Sequence, residues 1–304
     1  MKPTKYIWKN NKLILWEEAT THVLTHALHY GTGVFEGIRA YETPKGPAIF
    51  KAQAHYQRLL DSAAIYQMPM EYSVSQLIEA NKQVIKENKL SSCYIRPLSY
   101  RGYGVMGLNP QKAPVDTIIA AWEWGTYLGE EGLKKGIRCK MSSWARIDAR
   151  TLPPIAKCTA NYANSVLAKA EAIDCGYDEA IMLNLNGTIA EGPGENLFMV
   201  KDGDLITTPV ADGVLYGITA QSVVQIAQDM GINVVFRSIS REELFIADEL
   251  FFTGTAAEVT PIREIDGRMI KSNGRGPITE KVQSKYFDVV QGKDKKYEKW
   301  LCYV

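Results

Sequence analysis

Segments with strand character and segments with helix character alternate along the sequence, and this order limits the possible folds more than any other feature. In the first half, helical spacing near 53–66 and 75–88 precedes apolar strand patterns at 93–100 and 115–122. The second half continues the mixture, with a helix at 161–174 among further strands. The sequence therefore predicts an α/β fold of the α+β type, with many strands as antiparallel neighbours.

The second half contains the clearest local signals. Asn186-Gly187 separates two apolar runs, 179–185 and 188–191, and is the strongest short hairpin signal. A helix from Thr219 to Met230 is predicted to end at Gly231. We expect a β-meander followed by a helix in this region.

A glycine-rich, charged stretch divides the two halves. Residues 125–136 contain four glycines around a cluster of Glu and Lys, which makes them the best linker candidate. We therefore predict an N-terminal α/β domain at 1–124, a linker at 125–136 and a C-terminal α/β domain at 137–304.

Composition narrows the function. The 304 residues carry a net charge of +1, with 46% apolar and 23% charged residues, and neither sign of charge is concentrated. This balance argues against nucleic acid, a membrane surface or an acidic partner and favours a small ligand. No segment is apolar enough to span a membrane or to serve as a secretory signal, so we expect a cytoplasmic protein. The five scattered cysteines indicate reduced thiols, and no metal site is predicted.

Lys157 is the only charged residue between Thr151 and Ala168. It follows a rigid Pro-Pro pair and has small or apolar neighbours. A lysine in such surroundings is a candidate for a lowered pKa, because desolvation disfavours the ammonium form. Its neutral amine could then attack a carbonyl. On local sequence alone, a surface lysine that reaches solvent past a helix end remains the better explanation.

Motifs spread over nearly the whole chain, from about Tyr6 to Phe287, make a reactive Lys157 the better explanation. In their order and approximate spacing they resemble the class IV (fold-type IV) pyridoxal-phosphate (PLP) aminotransferases, and specifically the bacterial branched-chain amino acid aminotransferases. The family fold has two α/β domains with mixed, largely antiparallel sheets. The matching segments are His26–Gly31, Val34–Arg39, His55–Leu59, Tyr94–Pro97, Lys157 with Asn161-Tyr162, Glu191–Phe198, Gly217–Thr219 and Gly254–Glu258.

The resemblance implies three catalytic residues. Lys157 would carry PLP as a Schiff base and move the proton between substrate and cofactor. Glu191 would keep the pyridine nitrogen protonated, so that the ring can accept electrons. Tyr162 would donate a hydrogen bond to the phenolic oxygen of the ring. Taken alone, Glu191 would be a turn residue and Tyr162 a core aromatic.

The resemblance also assigns the phosphate of the cofactor to oriented donors. Ile218 and Thr219 open a helix, whose first N–H groups and positive dipole suit an anion. Thr255 would be a second donor, and Arg58 would supply positive charge. Without the resemblance, Gly217–Thr219 would be a simple helix cap and Arg58 an exposed helix residue.

The substrate is expected to meet two kinds of surface. By resemblance, the backbone at Thr255, Ala256 and Ala257 would bind its α-carboxylate with help from Tyr94. Arg96 and Tyr30 would accept the distal carboxylate of glutamate, as a cycle with 2-oxoglutarate requires. The apolar side-chain pocket would be lined by aromatic residues, which are Tyr30, Phe35, Trp124 and Tyr127.

The loop 102–108 resembles one that reaches into the neighbouring subunit, so a homodimer or a higher assembly of dimers is expected. Three positions depart from the family pattern: Pro193, Tyr216 and Ala220. They leave the shape of the loop near the phosphate open. The CxxC motif of some eukaryotic relatives is absent, so thiol regulation is not predicted.

Two other functions remain as alternatives. One is another fold-type IV enzyme, such as a D-amino acid aminotransferase, an R-selective amine transaminase or an aminodeoxychorismate lyase. The stretches Tyr94–Pro97 and Gly254–Glu258 argue against these enzymes, because each of the three needs a differently charged or shaped site for the substrate carboxylate. The other is a PLP-binding protein without catalysis, which the presence of both Lys157 and Glu191 disfavours.

Overall fold

The computed structural model describes residues 2–125 and 128–304 of the chain. Within these ranges the chain forms a mixed α/β fold with two eight-stranded sheets. This confirms the predicted fold class. No helix in the described part is both long and apolar enough to cross a membrane.

The strands are short, and most have fewer than seven residues. In chain order they are β1 (Tyr6–Lys9), β2 (Lys12–Leu15), β3 (Gly33–Phe35), β4 (Ile38–Thr43), β5 (Gly46–Phe50), β6 (Cys93–Arg101), β7 (Val115–Trp122), β8 (Ile137–Met141), β9 (Glu179–Ile181), β10 (Asn196–Lys201), β11 (Asp204–Thr207), β12 (Val234–Phe236), β13 (Glu249–Gly254), β14 (Glu258–Ile265), β15 (Arg268–Met269) and β16 (Leu301–Tyr303).

Residues 2–125 and 128–304 contain two short and five longer α-helices. They are α1 (His26–Tyr30), α2 (Ala52–Ile65), α3 (Val74–Glu87), α4 (Gly129–Lys135), α5 (Asn161–Asp174), α6 (Ile218–Asp229) and α7 (Pro277–Val290). Short 3-10 helices occur at Trp16–Glu18, Val210–Asp212, Arg241–Ile246 and Lys295–Trp300.

Internal contacts divide the chain into two compact units. The first unit is Met1–Trp124 with Ala156–Ala160 and Val289–Val304, and the second is Gly125–Ile155 with Asn161–Asp288. This division differs from the predicted one, because five residues around Lys157 and the C-terminal segment belong to the first unit. Part of the predicted linker is the helix α4.

The first unit is built on a fully antiparallel sheet with the order β16-β5-β4-β6-β7-β1-β2, and β3 also pairs with β6. Helices α2 and α3 contribute to its core through apolar residues at helical spacing, among them Tyr56, Leu59, Leu77 and Val84. Ser73 begins α3 with a capping box.

Pro97 lies in the centre of β6, where proline normally weakens a strand. On one side of β6, β4 pairs with residues 93–95 and β3 pairs with residues 98–100, so Pro97 faces the gap between them. Its carbonyl accepts the N–H of Glu36, the residue that follows β3. The missing N–H of Pro97 therefore falls where the ladder changes partner strands.

The second unit has the sheet order β12-β11-β10-β13-β14-β8-β9, with β15 on β14. Three pairs are parallel (β11 with β12, β14 with β8, and β8 with β9), while the other pairs are antiparallel. The core cluster at this sheet includes Leu197, Leu250, Phe252 and Ile262.

The predicted hairpin around Asn186-Gly187 is only partly regular. The chain turns there, and Gly187 has a φ of 83°. The predicted strand 188–191, however, is reduced to isolated bridges between Leu183 and Ile189 and between Thr188 and Ser240. The Asn184 side chain accepts the N–H groups of Asn186 and Thr188, and so replaces part of the ladder.

Candidate active site

The backbone of Lys157 is fixed within the first unit. Its carbonyl accepts the N–H of Phe35 at 3.0 Å, and its own N–H donates to Ser62 Oγ on α2 at 3.0 Å. The next residue, Cys158, forms an antiparallel bridge with Val34. The half-buried Lys157 side chain has its Nζ 5.0 Å from the centre of the Phe35 ring. The amine is thus held beside an apolar face.

The Phe35 ring also contacts Arg96, whose guanidinium carbon is 4.7 Å from the ring centre. Arg96 Nη2 donates to the Tyr94 hydroxyl at 2.9 Å, and its buried Nε has no hydrogen-bond partner among the described residues. The Trp124 ring meets the Tyr94 ring edge-on at 4.5 Å. The structure therefore brings Lys157, Phe35, Tyr94, Arg96 and Trp124 together.

Two predicted substrate residues are not in this group. Tyr30, at the end of α1, packs its ring against His26 and His29, and 37% of its surface is exposed. The hydrogen bond of Arg96 that the structure shows goes to Tyr94, so the expected partnership of Arg96 with Tyr30 is not seen. Tyr127 lies outside the described residues.

Arg58 is bound by a carboxylate to which the sequence interpretation gave no role. Glu36 is completely buried, and its two oxygens accept Arg58 Nε at 2.6 Å and Nη2 at 2.8 Å. His55 Nδ1 lies 2.7 Å from the second oxygen. Burial alone would raise the pKa of Glu36, but the neighbouring Arg58 and His55 outweigh it and lower that pKa to about 2.

Glu191, in the second unit, is a buried carboxylate with donors on both oxygens. Only 4% of its surface is exposed. One oxygen accepts Arg146 Nε at 2.8 Å, and the other accepts the Leu215 N–H at 3.1 Å and Asn196 Nδ2 at 3.2 Å. Such donors stabilise the ionised form of a carboxyl group. Glu191 is therefore more than the turn residue that its local sequence indicated.

Arg146 is the partner that sequence interpretation missed. It is 5% exposed, its N–H donates to the Leu183 carbonyl, and its Nη1 is 3.4 Å from Ser165 Oγ on α5. It lies 45 residues before Glu191, in an irregular segment after β8. No local pattern marks such a pairing.

Asn196 connects the Glu191 loop to the start of α6. Its Nδ2 also donates to the Leu215 carbonyl at 2.9 Å. Gly217, the residue before α6, lies so close to Asn196 that an added Cβ would overlap Asn196 Oδ1. Position 217 therefore requires glycine.

Helix α6 begins at Ile218, one residue before the predicted start, and no side chain caps it. Thr219 is buried in its first turn. The departures at Tyr216 and Ala220 do not prevent this helix start, since Tyr216 is exposed and Ala220 lies within the helix. Pro193 is buried in a tight turn closed by a hydrogen bond from Gly192 N–H to the Glu195 carbonyl.

Thr255, Ala256 and Ala257 form the three-residue turn between β13 and β14. Gly254, just before the turn, approaches the Gly194 carbonyl, which would lie 3.2 Å from an added Cβ. The turn thus lies against the loop that follows Glu191. Tyr162 is half-buried in the first turn of α5.

A second buried carboxylate lies in the same loop. Glu195 is 5% exposed and accepts the Gly194 N–H at 3.0 Å. Burial raises the pKa of Glu195 to about 8, and the nearby carboxylate of Glu179 contributes to this rise. The buried Glu195 side chain is therefore largely protonated at neutral pH.

Each unit, taken by itself, holds groups that suit PLP. The first unit contributes an amine beside an apolar ring and a partly buried guanidinium. The second contributes a buried carboxylate that receives three hydrogen bonds, and an uncapped helix start with a hydroxyl in its first turn. An amine, a carboxylate and phosphate donors are the groups that bind the aldehyde, ring nitrogen and phosphate of this cofactor.

Comparison with known proteins identifies the family of the chain. Residues 33–265 match the family model described as amino-transferase class IV. The branched-chain-amino-acid aminotransferase of Pseudomonas aeruginosa is 51% identical over 298 residues, which cover 98% of this chain and 97% of that protein.

Solved structures show the same relationship. The crystal structure of the Escherichia coli branched-chain amino acid aminotransferase has a TM-score of 0.96 at 47% identity, covering 98% of this chain and 99% of that one. The branched-chain aminotransferase of the thermophilic archaeon Thermoproteus uzoniensis, solved with norvaline, has a TM-score of 0.94 at 43% identity, covering 98% of each chain. The chain therefore belongs to the class IV aminotransferases, within their branched-chain amino acid aminotransferase group.

Proposed function

We propose that this enzyme transfers the amino group between branched-chain L-amino acids (leucine, isoleucine and valine) and 2-oxoglutarate, with PLP bound covalently to Lys157. The observation that carries the proposal is the shared Phe35 ring, which contacts the Lys157 amine on the one hand and the Arg96 guanidinium on the other. Bound PLP supplies an electron-accepting ring conjugated to the substrate Cα.

The arrangement around Phe35 suits two chemically different substrates. A branched aliphatic side chain can bury its apolar surface against Phe35 and Trp124. The distal carboxylate of glutamate can instead bind Arg96, whose planar guanidinium suits a carboxylate. Arg96 is held by the Tyr94 hydroxyl. One pocket can therefore serve both halves of the transamination cycle.

The remaining residues are proposed to act on the cofactor and the substrate carboxylate. Lys157 Nζ would carry the proton between the substrate Cα and the cofactor carbon C4′. Glu191 would accept a hydrogen bond from the protonated ring nitrogen, and Tyr162 would donate one to the phenolic oxygen. The phosphate contacts are assigned to Arg58, Ile218, Thr219 and Thr255, and the α-carboxylate contacts to the backbone at Thr255, Ala256 and Ala257.

A homodimer in the cytoplasm is part of the proposal. The loop 102–108 exposes three large apolar side chains (Tyr103, Met106 and Leu108). Exposed apolar groups this close in sequence are typical of a surface that another chain covers. We keep Tyr30 and Tyr127 as proposed pocket residues on the basis of the family resemblance.

The experiment that tests the proposal has two parts. Borohydride treatment of the yellow protein should fix the cofactor to the peptide that contains Lys157, and Lys157→Ala should give no labelled peptide and no transamination. The second part mixes the PLP form with L-leucine, L-isoleucine, L-valine, L-glutamate or D-alanine and follows the loss of the cofactor absorbance. We expect the four L-amino acids to react and D-alanine to be slow.

The two alternatives predict different results. A fold-type IV enzyme for D-amino acids would react faster with D-alanine than with any branched-chain L-amino acid. A non-catalytic PLP-binding protein would be labelled by borohydride but would react with none of the amino acids. Substantial turnover of leucine with 2-oxoglutarate by Lys157→Ala would contradict the assignment of Lys157.

A further inference from the structure

Arg146 and Glu191 form an enclosed ion pair within the second unit. Both side chains are 5% exposed, and Nε lies 2.8 Å from the carboxylate oxygen. We propose that Arg146 is a positioning residue that keeps Glu191 ionised and thereby keeps the proton of the cofactor pair on the pyridine nitrogen. This inference rests on the proposed function, because it assigns Glu191 to that nitrogen.

The chemical need for such a residue follows from burial. A carboxyl group removed from water prefers the neutral form, and Glu191 is buried. A carboxylate with a high proton affinity would take the proton from the ring nitrogen. The result would be a neutral acid facing a neutral pyridine, which accepts electrons less readily.

An adjacent cation opposes this effect. An opposite charge within hydrogen-bonding distance lowers the pKa of a carboxyl group by about 1 to 3. Arg146 is suited to the task, because guanidinium stays protonated at any physiological pH. The Leu215 N–H and Asn196 Nδ2 add two neutral donors on the other oxygen.

A neighbouring carboxyl group shows what burial does. Glu195 follows in the same loop, and its pKa is raised to about 8 by burial, by Glu179 and by Glu191 itself. Glu195 is therefore largely protonated at neutral pH, and this is the state that a cation has to prevent at Glu191. Arg146 places a positive charge directly against Glu191.

The position of Arg146 is itself fixed from two directions. Its backbone N–H donates to the Leu183 carbonyl at 2.8 Å, and Nη1 contacts Ser165 Oγ on α5. These contacts orient the Nε edge of the guanidinium toward Glu191. Arg146 acts through Glu191, and the assignment requires no contact with the cofactor.

The test compares the holoenzyme with Arg146→Gln, which keeps an N–H donor but removes the charge. Both proteins are reconstituted with PLP labelled with ¹⁵N in the ring, and the nitrogen shift is measured by NMR. We expect a protonated nitrogen in the wild type and a shift toward neutral pyridine in the variant. The kcat for leucine should fall by about 10- to 100-fold, the effect that loss of a supporting hydrogen-bond partner has at metal sites. The KM should change far less.

Arg150→Gln is the matched control. Arg150 is a nearby arginine that also pairs with an acidic residue, Asp148, but it is 77% exposed. Its variant should keep the wild-type nitrogen shift and kcat. Thermal unfolding of the apo proteins separates a structural effect from the proposed one, because a stability loss alone leaves the nitrogen shift unchanged.

A ring nitrogen that stays protonated in Arg146→Gln would overturn the inference, whatever the kcat. If that variant does not fold, Arg146→Met and Arg146→Lys are compared: a neutral nitrogen in the first with a protonated one in the second supports the proposal, and a protonated nitrogen in both contradicts it. Borohydride labelling of Lys157 is run on each preparation, so an unlabelled wild type signals failure of the proposed function and not of the Arg146 inference.

Discussion

Two buried carboxylates, Glu36 and Glu191, each pair with an arginine that is largely buried as well. Glu36 holds Arg58 with both oxygens, and Glu191 shares its oxygens among Arg146 and two neutral donors. A buried ion pair contributes little net stability, because both charges lose their hydration. Their value lies in the fixed orientation and charge of the groups that are proposed to bind the cofactor.

Glu191→Gln should slow catalysis much more than it weakens substrate binding. An amide cannot stabilise a proton on the ring nitrogen, so we expect kcat to fall by about 100-fold or more, the scale of a lost acid–base group. The KM for leucine should change little. Steady-state kinetics check this, with the exposed Glu242→Gln as control. An unchanged kcat would show that the ring nitrogen has another partner.

Glu195 gives a prediction about pH and stability. Its pKa is raised to about 8 by burial and by Glu179, compared with an ordinary value of about 4.3 in the unfolded chain. The folded state therefore favours the protonated form, and its contribution to stability is complete below about pH 4 and lost as the pH rises through 8.

Glu195→Gln removes this pH-dependent loss, because the amide does not ionise. We expect the variant to exceed the wild type in unfolding free energy by an amount that grows between about pH 5 and 8 and is constant above that range. Denaturant unfolding at a series of pH values measures the difference. A difference that is independent of pH would contradict the assigned pKa, and Glu242→Gln should show no such trend.

At the residue scale, sequence motifs indicated Lys157, Glu191 and Thr219, but not the residues that support them. Glu36 and His55 lay within quoted motifs without a role, and Arg146 was not noticed at all. The reason is physical: their contacts span 19 to 45 positions of sequence. A side chain whose partner is that distant has no periodicity or spacing that could reveal it.

At the element scale, the start of α6 depends on a close approach that only glycine permits. Gly217→Ala would push its Cβ into Asn196 Oδ1, and Asn196 is one of the donors to Glu191. We expect a loss of stability of about 1 to 3 kcal/mol, the usual cost of an overpacked buried site.

Thermal unfolding of the apo protein measures this loss, and Gly194→Ala is the matched control. No atom lies within 4 Å of a Cβ added at Gly194, which also has no positive φ. Its unfolding midpoint should therefore stay close to that of the wild type. Equal midpoints for both variants would mean that the loop can move away from Gly217 at little cost.

The elements that sequence predicted well are those with strong periodicity. Helix α5 and strand β7 have the predicted bounds. Strand β14 was missed, because Pro261 interrupts its pattern, and α4 was taken for linker, because its glycines favour a loop. Pairing with β13 and β8 compensates for the weak local preference of β14.

At the scale of the whole molecule, the prediction concerns assembly. Leu108 is 87% exposed in the loop that is proposed to reach a second subunit. Leu108→Glu should shift the native mass from two chains toward one at low protein concentration, since the charge would be buried on association. Analytical ultracentrifugation measures the mass.

Leu185→Glu is the control for this prediction. Leu185 is also an exposed leucine in a turn, at 55% exposure, but it lies beside Asn186-Gly187 in the second unit. Its variant should keep the wild-type mass. A single-chain mass for the wild type at every concentration would contradict the proposed dimer.

The division into units could not be read from the sequence. Residues 156–160 pair with β3, and the C-terminal strand β16 pairs with β5, so both segments return to the first unit after long excursions. A change in composition can indicate a linker when each domain is one continuous stretch of the chain. Here the chain returns twice through short segments of ordinary composition.

The Glu36–Arg58 pair has a consequence for newly made protein. Because Glu36 already balances the charge of Arg58, neutralising this arginine requires no outside anion while the chain folds. An anion that arrives later has to share Arg58 with a carboxylate that already binds it through two hydrogen bonds.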